Sequence, residues 1–239
     1  MRRFLSLALS VACLAAPAAL GDQPSEPADV IRVACLGDSI TFGARTKDRA
    51  VESYPARLQT ILGKDYEVHN LGIGGATLIQ PGRPTAWRHV PTIVKLQPQV
   101  IVVLLGTNDT VGAPRRNWER IDRFVPDFQA MIDQFAALDS QPNIFVATPT
   151  AMVLTTPDLS ADRLANLRER KPRLQDLCRR IRQLAADNQD KSVQLLELNN
   201  LLPGHPDWIT PGDGVHPTPA GYKAIAQRVA EAIKKAAEE

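Results

Sequence analysis

Aromatic side chains make up only 5% of this 239-residue chain, and cysteine supplies just three positions. So few cysteines rule out a disulfide scaffold. None is needed, because the length suits one α/β domain and 44% hydrophobic content is enough to bury its core. Long apolar runs are also missing: Phe4 to Ala16 is the nearest approach, well short of the roughly 18 residues that cross a bilayer. Metal-ligand spacing is absent. His69, His89 and His205 stand apart from one another, and there is neither a His-Glu-x-x-His nor a paired-cysteine motif, so no metal and no zinc site is expected. The chain also has almost no charge of one sign in excess. Arg2 and Arg3 account for the whole formal charge of +2, so the remainder is balanced and nothing suggests a nucleic-acid partner.

Those two arginines head a second pattern. A charged start, the apolar run to Ala16 and the small-residue stretch Ala19-Leu20-Gly21 read as a signal peptide over residues 1–21, which implies a secreted or periplasmic protein with no membrane span. Cys13 follows Ser10-Val11-Ala12, a faint lipoprotein pattern, but its place in mid-run argues against a lipid anchor. Residues 22–30, polar and proline-rich, read as a short linker, and residues 31–239 as the single domain. Cys35 and Cys178 lie in apolar sequence and read as buried free thiols, although export would permit a disulfide.

Within the domain, strand-length apolar runs alternate with amphipathic stretches. The strand candidates are Ile31–Leu36, Tyr66–Asn70, Val100–Leu105, Asn143–Ala147 and Val193–Leu198; helical patterns cover about 52–63, 86–96, 117–138, 161–188 and 218–237. Val100–Leu105 is apolar on both alternating faces, as strands of a parallel sheet covered by helices on both sides are. Pro172 is expected to break or kink the stretch 161–188 into two helices. The arginines of that stretch (163, 168, 170, 173, 179, 180 and 182) alternate with acids and read as a solvated helix face.

Ligands of an open α/β sheet sit beyond the carboxyl ends of its strands, so the loops there are where a site is expected. Four segments hold unusual residues: Gly37-Asp38-Ser39-Ile40-Thr41-Phe42-Gly43, Asn70-Leu71-Gly72-Ile73-Gly74-Gly75, Gly106-Thr107-Asn108-Asp109, and Asp213-Gly214-Val215-His216-Pro217 before the last helix. A serine hydroxyl becomes a strong nucleophile when an imidazole takes its proton and a carboxylate holds that imidazole in the right tautomer. Ser39, His216 and Asp213 supply the three groups. The N–H groups of Ser39 and Gly75 and the Asn108 amide are candidate donors to a developing oxyanion. Asp38 and Asn70 are expected to make local hydrogen bonds that support these loops, and Asp109 to support Asn108. Trp87 and Trp208 lie in polar loop sequence and are candidates for stacking on a sugar ring, whereas Trp118 begins a helix and reads as core.

The four segments, in this order and spacing over roughly residues 32–233, resemble those of the SGNH hydrolase superfamily, the GDSL-type esterases, with Ser39, Gly75, Asn108 and His216 at the four named positions. No Gly-x-Ser-x-Gly elbow is present, which counts against the ordinary α/β-hydrolase fold. The resemblance implies a three-layer α/β/α flavodoxin-like domain with a central parallel sheet, and a serine esterase needing no metal and no organic cofactor. Ser53-Tyr54-Pro55 and Gly75-Ala76-Thr77-Leu78 resemble in particular the sialate O-acetylesterase-like and carbohydrate acetylesterase branch, implying removal of acetyl groups from sugars. The alternatives are a lysophospholipase, thioesterase or arylesterase on the same scaffold and a catalytically silent carbohydrate-binding protein.

Overall fold

A computed structural model describes residues 30–238, and the expected signal peptide, most of the linker and Cys13 lie outside them. Five parallel strands, β1 (Ile31–Gly37), β2 (Tyr66–Gly72), β3 (Val100–Leu104), β4 (Asn143–Ala147) and β5 (Val193–Leu196), form one sheet in the order β2-β1-β3-β4-β5. The short helices α1 (Ser39–Phe42) and α2 (Arg49–Glu52) and the longer α3 (Tyr54–Leu62) join β1 to β2, and α4 (Val90–Leu96) leads into β3. Then come α5 (Phe124–Ala136), α6 (Ala161–Asp187) and α7 (Pro219–Ala236).

Alternation along the strands decides which layer each side chain joins. Val33 and Cys35 face one side of the sheet, packing with Tyr54 and Leu58 of α3 and with Tyr222, Ile225 and Val229 of α7. Ala34 and Leu36 face the other, against Ile93 of α4, Phe128, Met131 and Phe135 of α5, and Leu177 and Ile181 of α6. Fully burying each large side chain contributes about 1.5–3 kcal/mol, and every residue of β3 is buried. This is the expected three-layer α/β/α fold. Cys35 and Cys178 are buried free thiols. No helix among the described residues is long and apolar enough to cross a membrane.

Prolines shift several helix boundaries. Pro55 and Pro91 sit in the first turns of α3 and α4, where no N–H is needed, so the patterns at 52–63 and 86–96 each divide at that point. Pro126 likewise lies in the first turn of α5, and residues 118–123 before it form a 3-10 helix. Pro172 departs from expectation. It does not split the helix: α6 runs unbroken for 27 residues. The carbonyl that Pro172 cannot satisfy is that of Arg168, four residues earlier, and both residues are exposed, so water can take the missing bond.

Going from β1 to β2 the chain moves to one edge, and from β2 to β3 it crosses back over β1 to build the rest of the sheet. The topological switch point therefore lies between β1 and β3, where an open sheet leaves a crevice at its carboxyl edge.

Candidate functional site

Ser39 stands directly beyond β1, as the first residue of α1. The Asp38 carboxylate caps this helix by accepting the Ile40 N–H at 2.9 Å. The abrupt change from strand to helix needs Gly37, because a Cβ there would lie 1.9 Å from Thr41 Oγ1 and 2.8 Å from the Leu104 carbonyl oxygen. His216 arrives from the opposite end of the sequence, on a loop pinned by the Thr210 N–H donating to the His216 carbonyl at 2.9 Å and by Thr218, which caps α7. Gly214 adopts φ +75° in this loop, and there the Asp213 carboxylate accepts the Val215 and His216 N–H groups at 3.0 Å.

These two loops meet. Ser39 Oγ lies 2.9 Å from His216 Nε2, and His216 Nδ1 lies 2.9 and 3.0 Å from the two oxygens of Asp213. A hydroxyl, imidazole and carboxylate in this line can pass the hydroxyl proton to the ring as the oxygen attacks an electrophile. Burial by itself would raise the Asp213 carboxyl. Hydrogen bonds from the His216 ring and backbone, with the charges of His216 and Arg163, outweigh it and hold the group well below the usual carboxylate range.

Asn108 follows β3 across the switch point. Its amide donates to the Ala76 carbonyl at 3.0 Å and lies 3.5 Å from Asp38 Oδ2. Ser39, Gly75, Asn108 and His216 line one cavity of about 400 Å³, together with Thr107, Val111, Val215 and three arginines. Among the described residues, neither the Ser39 nor the Gly75 N–H donates a hydrogen bond to a protein group. Asp109 is fully buried and accepts the N–H groups of Leu78 and Ile79, so it ties the loop after Gly75 to the loop carrying Asn108. Burial raises its carboxyl to about 7 despite those bonds, and raises that of Asp38 to about 6 against the pull of the Ile40 N–H and of His216. Asn70 accepts the Gly72 N–H at 3.0 Å and stands outside the cavity.

The two tryptophans expected at a sugar lie elsewhere. Trp87 packs against the core of the α4–α6 layer and donates its indole N–H to the Leu78 carbonyl at 2.8 Å. Trp208 stacks on His205 with ring centroids 3.8 Å apart and packs beside Leu202 and Ile209. Neither lines the cavity that holds Ser39. Trp118 is partly buried against the core, with the Arg173 guanidinium 5.4 Å from its ring.

The arginines of α6 bring the larger correction. Arg168 and Arg179 are exposed as expected and Arg173, Arg180 and Arg182 are partly buried, but Arg163 and Arg170 turn into the site. Arg163 donates through Nε to the Asp213 carbonyl at 2.6 Å and pairs through Nη2 with its carboxylate at 3.3 Å. Arg170 is 7% exposed and donates to the Thr107 carbonyl and Thr110 Oγ1, fastening the Gly106–Asn108 loop to the helix. Their signal was in the spacing: positions 163, 167, 170 and 174 form one helical stripe, so Arg163 and Arg170 share the inward face of Leu167 and Leu174. Arg115 and Asn117, which donates to the Asn108 carbonyl at 2.9 Å, sit in an irregular loop and gave no such signal.

Comparison with known proteins gives these positions a context. Residues 35–224 match the GDSL-like Lipase/Acylhydrolase family. An acetylxylan esterase from Xylanibacter ruminicola is 32% identical over 233 residues, covering 88% of this chain but 45% of that protein, so the chain spans less than half the length of this curated relative. Among solved structures, an aryl esterase from M. smegmatis superposes with a TM-score of 0.67 at 20% identity, covering 86% of this chain and 99% of that one. A carbohydrate acetylesterase family member from Sinorhizobium meliloti gives 0.68 at 19% identity, covering 86% and 98%. With its family match extending from β1 into α7 and its fold shared by these esterases, the chain belongs to the GDSL-like lipase/acylhydrolase family of SGNH hydrolases.

Proposed function

We propose that this chain hydrolyses small acyl esters, above all O-acetyl groups on carbohydrate, through an acyl-enzyme on Ser39. The observation that carries the reading is the unbroken line from Ser39 Oγ through His216 to Asp213, opening into a cavity beside Asn108. Ser39 Oγ attacks the acyl carbonyl while its proton moves to His216 Nε2. The ring then returns that proton to the departing sugar oxygen, leaving the acyl group on Ser39. Water, deprotonated by His216, attacks the acyl-enzyme and releases the acid. Asp213 keeps Nδ1 protonated and steadies the imidazolium formed at each step. The oxyanion meets the N–H groups of Ser39 and Gly75 and the Asn108 amide, one of whose hydrogens faces Asp38 only from 3.5 Å, too far to hold it firmly.

Asn108→Ala is expected to lower kcat by about 10² to 10³, roughly 2.7–4 kcal/mol, with KM changed much less, because the donor meets a charge that exists mainly in the transition state. A folded Asn108→Ala protein with kcat within about threefold of wild type would leave the hole with its two backbone donors alone.

Val111 and Val215 are the aliphatic residues lining the cavity, which offers little to a long acyl chain. In an apolar groove each methylene would contribute about 0.8 kcal/mol, and kcat/KM would climb steeply with chain length. Rates on p-nitrophenyl acetate, butyrate and octanoate should instead stay flat or fall, and acetylated xylan should release acetate. A steep rise toward octanoate would favour a lysophospholipase or thioesterase.

A further inference from the structure

Three guanidinium groups, those of Arg115, Arg163 and Arg170, line the cavity that holds Ser39, and no carboxylate is among the residues lining it. Arg163 is already paired with Asp213. Arg170 is not: its hydrogen bonds run to neutral acceptors, Thr107 O at 2.8 Å, Thr110 Oγ1 at 3.0 Å and Asn166 Oδ1 at 3.3 Å, and it makes no ion pair among the described residues. Cations this well buried are ordinarily matched by an anion, since leaving water is costly. Burial first, and then the neighbouring charges of Arg163, Arg115 and Arg173, lower its pKa to about 10, opposed by Asp38. Arg115 also lacks an ion pair among the described residues. It is exposed, with Nη1 3.4 Å from the Gly75 carbonyl oxygen, so its planar fork hangs over the loop whose N–H faces the reacting carbonyl.

A neutral acetylated sugar does not require three cations around its ester, because neutral donors and acceptors are enough to satisfy hydroxyl groups. Guanidinium forks match carboxylate and phosphate through two parallel N–H···O bonds, and positive charge concentrated in a cleft raises the local concentration of an anion. We infer that the substrate is an acyl ester of a sugar that itself bears an oxyanion, a carboxylate or a phosphate, near the acylated hydroxyl. Arg115 grips that group, and Arg170 supplies a fixed positive field behind it. The inference rests on the ester-hydrolase reading of Ser39 and narrows its substrate class.

Three randomly monoacetylated probes test it: methyl glucoside, methyl glucuronoside and glucose 6-phosphate. At low ionic strength, kcat/KM for at least one anionic probe should exceed that for the neutral sugar by tenfold or more, equivalent to about 1.4 kcal/mol. The ratio should shrink as salt is added. Whichever anionic probe leads tells carboxylate from phosphate. Arg115→Gln should bring the ratio close to one, and Arg115→Lys should retain part of it. Arg116→Gln should preserve it, because Arg116 pairs with Glu119 and does not line the cavity. A ratio near one in the wild type, or a high ratio unmoved by Arg115→Gln, overturns the inference while leaving the esterase reading intact. If p-nitrophenyl acetate is turned over but no probe is cleaved, the esterase reading stands and NMR titration of Ser39→Ala protein with unacetylated methyl glucuronoside, glucose 6-phosphate and methyl glucoside decides the inference; no turnover of p-nitrophenyl acetate overturns the esterase reading and the inference with it. Tenfold tighter binding of either anion supports the inference; equal binding, or none, overturns it.

Discussion

Ser39→Ala is expected to reduce kcat for p-nitrophenyl acetate by a factor on the order of 10⁶, because nothing else in the cavity offers a nucleophile at hydrogen-bond distance from His216. The groups of a serine nucleophile, its base and its oxyanion donors act as one unit, so removing the hydroxyl forfeits most of what the set contributes together. The residual rate should still exceed that in water by about 10³ to 10⁴, the share of binding and the oxyanion donors. A fluorophosphonate should label wild-type protein at Ser39 and leave the variant unlabelled. Circular dichroism should match wild type, since among the described residues Ser39 Oγ bonds only to His216, and it fills no core position. Persistent labelling, or turnover within a hundredfold of wild type, would remove Ser39 from the chemistry.

Asp213→Asn is expected to cost about 10⁴ in kcat. Both Asp213 oxygens lie within 3.0 Å of His216 Nδ1, so the carboxylate accepts the Nδ1 proton and leaves Nε2 bare to receive the proton of Ser39. The amide of asparagine can turn its N–H toward Nδ1, which favours the opposite tautomer and a ring that already carries hydrogen on Nε2. KM should move little, and a loss of less than about tenfold would mean that Asp213 does not orient the base. The substitution also strips Arg163 and Arg45 of their carboxylate partner. The stability difference should then depend on pH in one direction. Because the folded-state pKa of Asp213 is depressed, its contribution is present above the ordinary value of 3.8 and is lost as pH falls through the lower folded-state value. Wild type and Asp213→Asn should therefore converge in unfolding free energy below about pH 3.8, as chemical denaturation at pH 2.5, 4 and 6 would reveal. A gap that widened on acidification would contradict the assigned ionisation.

The strands, the layered fold and the positions 39, 75, 108, 213 and 216 could all be read along the chain, because each depends on short-range patterns. Runs such as Val100–Leu104 are apolar on both faces, glycine marks a sharp turn, and Asp213 reaches His216 within one loop. Pro172 and the tryptophans were decided by what surrounds them. A proline need not end a helix when the carbonyl it orphans faces water, and Trp87 lies partly buried against the core, where the Leu78 carbonyl accepts its N–H. The arginines show the division most clearly. Spacing alone puts Arg163 and Arg170 on the stripe of Leu167 and Leu174, yet a cation on an inward face is tolerable only if polar partners meet it there. Those partners, Asp213, Thr107 and Thr110, lie 50 to 63 residues away in sequence and reach α6 only when β3 and the His216 loop close on the same edge of the sheet. Local pattern thus sufficed for the groups to which we assign the chemistry, while the charge of the cavity around them depended on long-range closure of the chain, which no window of sequence contains.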